Sequence, residues 1–199
     1  MASKIKVDQL ETADGSGTIV LQNQLSGMTT ASLPALGSAQ MPTGSVLQVK
    51  QAYKTDIFST SANSDTDITG LSVSITPSST SSKILVTSNI SGFSHNGLGG
   101  GFCIKRDSTK IGLADTSGSR ARTSFSGDLY TGDAAGTGQM HFNAVACFLD
   151  SPSSTSALTY KITAQCNGNT LNINHEETDS DSNDTTRCVS HITLMEIAG

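Results

Sequence analysis

Thr69-Gly70-Leu71-Ser72-Val73-Ser74-Ile75-Thr76-Pro77-Ser78-Ser79-Thr80-Ser81-Ser82-Lys83-Ile84-Leu85-Val86-Thr87-Ser88-Asn89-Ile90 reads as two strands on either side of a turn. Leu71, Val73 and Ile75 alternate with serine at period two, which puts the apolar side chains on one face of a strand and the hydroxyls on the other. Pro77 and the hydroxyl run behind it break the pattern, because proline has no N–H for a ladder and serine bonds to nearby backbone in turns. Lys83 to Ile90 resumes it. The pair is expected to form a hairpin-like unit with one buried face.

Outward from this stretch the same period recurs. Strands are expected at Ser45–Tyr53, Phe102–Arg106, Lys110–Ala114, Arg122–Tyr130, Met140–Leu149, Leu158–Cys166, Asn169–Asn174 and Val189–Ile197. Phe142, Ala144, Ala146 and Phe148 share one face of their strand, as do Leu158, Tyr160, Ile162 and Ala164. Asn167-Gly168 has the φ > 0 preference of a two-residue hairpin turn. About nine or ten short strands, with turn signals at roughly 8 to 15 residue spacing and no 3.6-residue period, predict an all-β antiparallel sandwich, jelly-roll-like, over residues 45–199.

Composition agrees with that class and excludes others. Serine and threonine number 30 and 25 of 199 residues, against 35% hydrophobic, 5% aromatic and 15% charged residues and no tryptophan. Hydroxyl side chains compete for helical hydrogen bonds and are tolerated on exposed strand faces, so helical bundles and doubly wound α/β enzymes are disfavoured. The 12 basic and 17 acidic residues give a net charge of −5 with no basic patch, which speaks against a nucleic-acid partner. Apolar runs are far too short to insert in a membrane, and no apolar signal core is visible near Met1. Cys103, Cys147, Cys166 and Cys188 have no C-x-x-C spacing and each adjoins a strand, so all four are expected to be reduced core thiols.

Residues 1–44 differ from the rest. Short apolar runs, Lys4 to Asp8 and Thr18 to Gln22, are followed by a tract of small residues with Pro34 and Pro42. The apolar content cannot close a core, so an extended arm is expected, ordered against another subunit or a larger assembly, with Ile5, Val7, Leu10, Ile19 and Leu21 as its docking side chains.

Pro42-Thr43-Gly44-Ser45-Val46-Leu47-Gln48-Val49, then Thr69 to Pro77, then Phe148-Leu149-Asp150-Ser151-Pro152 with Tyr160-Lys161-Ile162, and finally Ile192-Thr193-Leu194-Met195-Glu196-Ile197 carry a resemblance. In these ordered blocks the chain resembles the short tail-fibre-like virion structural proteins of marine bacteriophages and cyanophages; Lys4-Ile5-Lys6-Val7-Asp8 is similar to the short strand that opens many of them. The resemblance implies a virion component, made in the host cytoplasm, with a β-sandwich head, homotrimers, and an N-terminal segment docked on other virion proteins. The function expected is non-enzymatic: the arm attaches to the particle and the trimeric head is displayed for host-surface adhesion, with surface polysaccharide as a partner. A capsid decoration protein or short head fibre uses the same parts. A cellular carbohydrate-binding module is a third reading, and it calls for exposed aromatics that a chain with no Trp and 3 Tyr scarcely offers.

Candidate sites are few. The glycine-rich Gly97 to Gly101 lacks the Gly-Lys-Ser/Thr of a phosphate loop and is read as an inter-strand loop, with Asn96-Gly97 as a tight turn. Loops 92–101, 114–121, 131–139 and 175–187 are expected to face outward. In the last of these, His175, Asp179, Asp181, Asn183 and Asp184 are the ligand-facing candidates. Asp179, Asp181 and Asn183 alternate like the first ligands of a calcium loop, but Asp184 stands where glycine is needed and Ser190 where the bidentate glutamate belongs, so a solvated loop is preferred and no metal is assigned. Arg120 and Arg122 are candidates for a subunit contact. His141 and His191 fall on strands and are read as sheet-face or interface residues. No nucleophile–base pair or carboxylate pair stands out among so many serines, so no catalytic residue and no cofactor is expected.

Overall fold

The computed structural model describes residues 37, 40–95, 101–127, 139–166 and 170–199. The arm residues Ile5, Val7, Leu10, Ile19 and Leu21, the turns at Asn96-Gly97 and Asn167-Gly168, and nearly all of loop 131–139 lie outside them. The chain divides into two units, Met1–Gly37 and Ser38–Gly199, and the described residues belong almost entirely to the second.

That unit is all-β and antiparallel. Its strands are β1 (Val46–Lys54), β2 (Phe58–Thr60), β3 (Thr66–Ile75), β4 (Lys83–His95), β5 (Gly101–Arg106), β6 (Thr109–Ile111), β7 (Gln139–Asp150), β8 (Leu158–Gln165), β9 (Leu171–Ile173) and β10 (Ser190–Ile197). One sheet has the order β1-β10-β4-β9-β2 with β7 on the other edge of β4; the second has the order β3-β8-β5-β6. Alternation works as expected in β3, in β4 over 83–90 and in β7, whereas Gly101–Ile104 of β5 and all of β9 are buried on both faces. Ile84, Val86 and Ile90 of β4 and Ile192 and Leu194 of β10 meet Leu71 and Ile75 of β3, Phe102 and Ile104 of β5, and Tyr160 and Ile162 of β8 in one core. Each aliphatic or aromatic side chain so buried contributes about 1.5–3 kcal/mol.

The registers show that the first sheet has four strands, two of them interrupted. β9 pairs residues 92–94 of β4 and β10 pairs residues 83–89 of the same edge, in the same direction. They are therefore one strand line broken by residues 174–189. β1 and β2 lie alongside β10 and β9 and form a second line broken at 55–57. Merged in this way, the sheets read β1/β2, β10/β9, β4, β7 over β3, β8, β5, β6, and nearly every connection crosses from one sheet to the other, as in a jelly roll.

This crossing corrects the hairpin expectation for 69–90. β3 pairs β8 in one sheet and β4 pairs β7, β9 and β10 in the other, so the Pro77 to Ser82 turn carries the chain between sheets. β8 and β9 likewise belong to different sheets, so the strands flanking Asn167-Gly168 do not form a hairpin either. The strand expected at Arg122–Tyr130 is absent over 122–127, where Phe125 makes a single bridge to Phe102. The thiols also divide: Cys103 and Cys166 are buried, whereas Cys147 is exposed and Cys188 partly so. Cys147 points outward because it shares its strand with inward Ala146 and Phe148.

Candidate functional site

The excursion 174–189 begins at Asn174, a buried residue with φ of 66°. Asparagine tolerates this left-handed backbone better than branched residues do. Its polar atoms are all engaged. The N–H donates to Ser91 O at 3.0 Å and its carbonyl accepts from Cys188 N–H at 3.0 Å. Nδ2 donates to Lys54 O at 2.9 Å and Asp56 O at 3.0 Å, and Oδ1 accepts from Ser190 Oγ at 2.7 Å. One amide thus ties both broken strand lines together at the point where the chain departs. Beside it Lys54, fully buried, donates to Asp56 Oδ1 at 2.9 Å, and that ammonium holds the Asp56 carboxyl below the usual carboxylate range.

His175 is 6% exposed, so it belongs to the base of the loop and not to its ligand-facing surface. Its Nε2 lies 2.9 Å from Ser59 Oγ and its Nδ1 2.7 Å from Glu176 O, while Ser59 Oγ also donates to Asn172 Oδ1 at 2.8 Å. A bridge between His175 and Arg187 closes the neck. Farther out, Arg187 binds Asp179 through two nitrogens, and Glu176 Oε1 accepts from Thr186 N–H at 3.0 Å. The guanidinium occupies the carboxylate that would have led a calcium loop, and among the described residues no cluster of three metal-ligating side chains occurs. Asp181, Asn183 and Asp184 form the exposed tip. Asp181 lines one shallow pocket with Asp179, Thr185 and Arg187, whereas Asn183 and Asp184 are not among its lining residues.

Residues 112–123 make a smaller excursion from the edge of the other sheet. It leaves after β6 and returns where Phe102 N–H donates to Phe125 O at 2.9 Å and the two rings stack at 5.3 Å. Ala114 N–H donates to Thr123 O at its neck. Arg120 and Arg122 are both exposed here, donating to Ser117 Oγ at 2.9 Å and Ala114 O at 2.6 Å. Of the other loops expected to face outward, residues 92–95 are a continuation of β4.

The outer face of the first sheet was missed from sequence as a unit, because its rows come from four distant strands. Registers align Val49, Met195, Leu85 and Leu149 in one row; Gln51, Thr193, Thr87 and Cys147 in the next; Tyr53, His191, Asn89 and Val145 in the third. None of these twelve is charged. Tyr53 stacks on His191 at 5.6 Å, and above them His141 packs on Phe93 at 4.8 Å, so both sheet-face histidines lie on this side. The second sheet differs. Its outer face carries Asp67 paired with Lys105 and Lys161, and Asp65 with Lys110.

At one end of the sandwich the chain enters beside its own last residues: Gly44 N–H donates to Ala198 O at 2.8 Å and Ala198 N–H to Ser45 O at 2.8 Å. All four segments that carry the resemblance converge here. Two buried carboxylates join them. Glu196 accepts from Gln48 Nε2 at 2.6 Å and from Ser78 N–H and Oγ at 2.7 Å each; burial alone would raise its pKa, but these bonds outweigh it and hold the carboxyl below its ordinary range. Asp150 accepts from Arg106 Nη1 at 2.7 Å and Tyr160 Oη at 2.6 Å; burial, then the neighbouring carboxylate, pushes the phenol pKa up. The described turns at 61–65 and Cys166, joined by the Cys166 N–H to Ala62 O bond, lie at the opposite end. No protein-family model matches the sequence, and no curated protein matches it.

Proposed function

We propose that the chain is a non-enzymatic phage virion protein, tail-fibre-like, in which residues 1–44 dock on the particle and a homotrimeric jelly-roll head is displayed for adhesion to the host surface. The observation that carries this reading is the convergence of the four resembling segments at the end where the chain enters the head. Gln48, Ser78, Asp150, Tyr160 and Glu196 build that end as a socket around two buried, hydrogen-bonded carboxylates. The excursions 112–123 and 174–189 arise away from that socket, on strand lines whose pairing does not depend on them. Such a layout suits display: many weak contacts from loops such as Asp181 to Asp184, multiplied by copy number, give avidity.

Gold-labelled antibody against the head, applied to purified particles, tests the reading. Label at the tail is expected. Label spread over the capsid transfers the protein to the decoration or head-fibre reading, which uses the same arm and head. Particles lacking the protein altogether overturn both, and glycan binding by a stable monomer from a cell would then favour a carbohydrate-binding module.

A further inference from the structure

We infer that the uncharged outer face of the sheet formed by β1, β10, β4 and β7 is where copies of this chain meet. The inference rests on the assembly half of the proposed function and is independent of its host-surface half. Val49, Met195, Leu85 and Leu149 cross four adjacent strands without a polar side chain between them. Val145 is 65% exposed, Tyr53 58%, Val49 54% and Leu149 50%, so four of the large apolar side chains exposed among the described residues lie on this one face.

Composition does not explain this face, because the same Ser/Thr-rich chain covers its second sheet with ion pairs. The three uncharged rows span five residues of β10, His191 to Met195; the next row holds exposed Lys83 opposite Ile197 and marks the edge of the patch. At about 4.8 Å per strand and 3.3 Å per residue that is about 320 Å² in projection across the four strands. A charge-free patch of this order, apolar at Val49, Tyr53, Val145 and Leu149, falls within the roughly 300–600 Å² of the largest patch on a typical monomer, a size that often marks an interaction surface. It supplies the charge-free centre of the roughly 800 Å² that a stable contact takes from each partner, with polar and charged groups such as Lys83 left to the rim.

The occupant must be flat and uncharged where it touches. A neighbouring copy meets both conditions when the same sheet of each subunit turns toward the threefold axis of the homotrimer. Each copy carries a net charge of −5, so two copies approach at least electrostatic cost where neither presents a charge, and this face provides that on both at once. Cys147 sits in the middle of it, exposed in the single chain, and reports on whether it is covered.

The full-length protein is weighed by light scattering and its Cys147 titrated with a maleimide, followed at peptide level by mass spectrometry. The wild type is expected as a multimer with Cys147 alkylated at least about tenfold more slowly than in V145K/L149K, the doubly charged variant, which is expected as a folded monomer by circular dichroism. S72K/S74K, on the other sheet, is expected to stay multimeric. A folded V145K/L149K that remains a multimer overturns the face and leaves the assembly standing. A monomeric wild type with reactive Cys147 overturns both. A monomeric wild type with protected Cys147 puts residues 1–44 on the face and overturns the second copy. Should V145K/L149K fail to fold, V145T/L149Q replaces it: a dissociation constant raised at least about tenfold supports the face, and an unchanged one overturns it.

Discussion

At Glu196 a carboxylate sits on the inward side of β10 with no exposure, and Gln48 and Ser78 decide its state by donating three hydrogen bonds to it. Because these bonds favour the charged form, its folded pKa lies below the ordinary glutamate value of 4.5. The stability it contributes is therefore complete above that value and is lost as the pH falls through the lower folded one. Glu196→Gln is expected to cost about 1–3 kcal/mol at pH 7, with the gap between variant and wild type closing below about pH 4, as followed by thermal melts across that range. Asn174 makes a sharper demand, since its side chain bonds three other residues while its backbone is left-handed. Asn174→Ala is expected to destabilise the head by about 2–4 kcal/mol in urea titrations. Asn174→Gly keeps the backbone freedom and loses the same bonds, so it should recover no more than about 1 kcal/mol of that.

Among the strands, period-two alternation was enough to identify most of the elements. Phe142 to Phe148 and Leu158 to Ala164 show their inward faces in the residue order alone, and the structure buries them accordingly. Pairing was not legible. Alternation tells which side chains share a face and says nothing about the neighbouring strand, and a turn such as Pro77 to Ser82 has the same composition whether it closes a hairpin or spans two sheets. β2, with three residues, carries no period at all. The candidate loop was visible as an acidic run, but not its neck: Asn174 and His175 look like ordinary polar residues until the break between β9 and β10 sets them against Lys54, Ser59 and Ser190. Gly92 was equally silent. A Cβ there would lie 2.5 Å from Phe142 Cζ and 2.7 Å from Asn172 O, where β4 passes the end of the core. Gly92→Ala is expected to cost more than about 2 kcal/mol, since backbone must shift on one side, and amide exchange in β4 and β9 would register it.

For the molecule as a whole, the arrangement separates tasks by position. Buried carboxylates knit the end where the chain enters, an uncharged sheet face looks to one side, and the excursions leave from strand lines that close up behind them. Since β9 and β10 keep one register on β4 across the gap, the length of the loop between them does not enter that register. A ten-residue Gly/Ser insertion between Ser182 and Asn183 is expected to cost about 0.6 kcal/mol and to lower Tm by only about 2 °C. The same insertion between Ser88 and Asn89 of β4 should abolish the cooperative melt in calorimetry. The gap between β9 and β10 thus behaves as a cassette boundary: a gene can exchange this one short stretch, by recombination or slippage, and alter its exposed tip while inheriting the folding instructions of the sandwich intact.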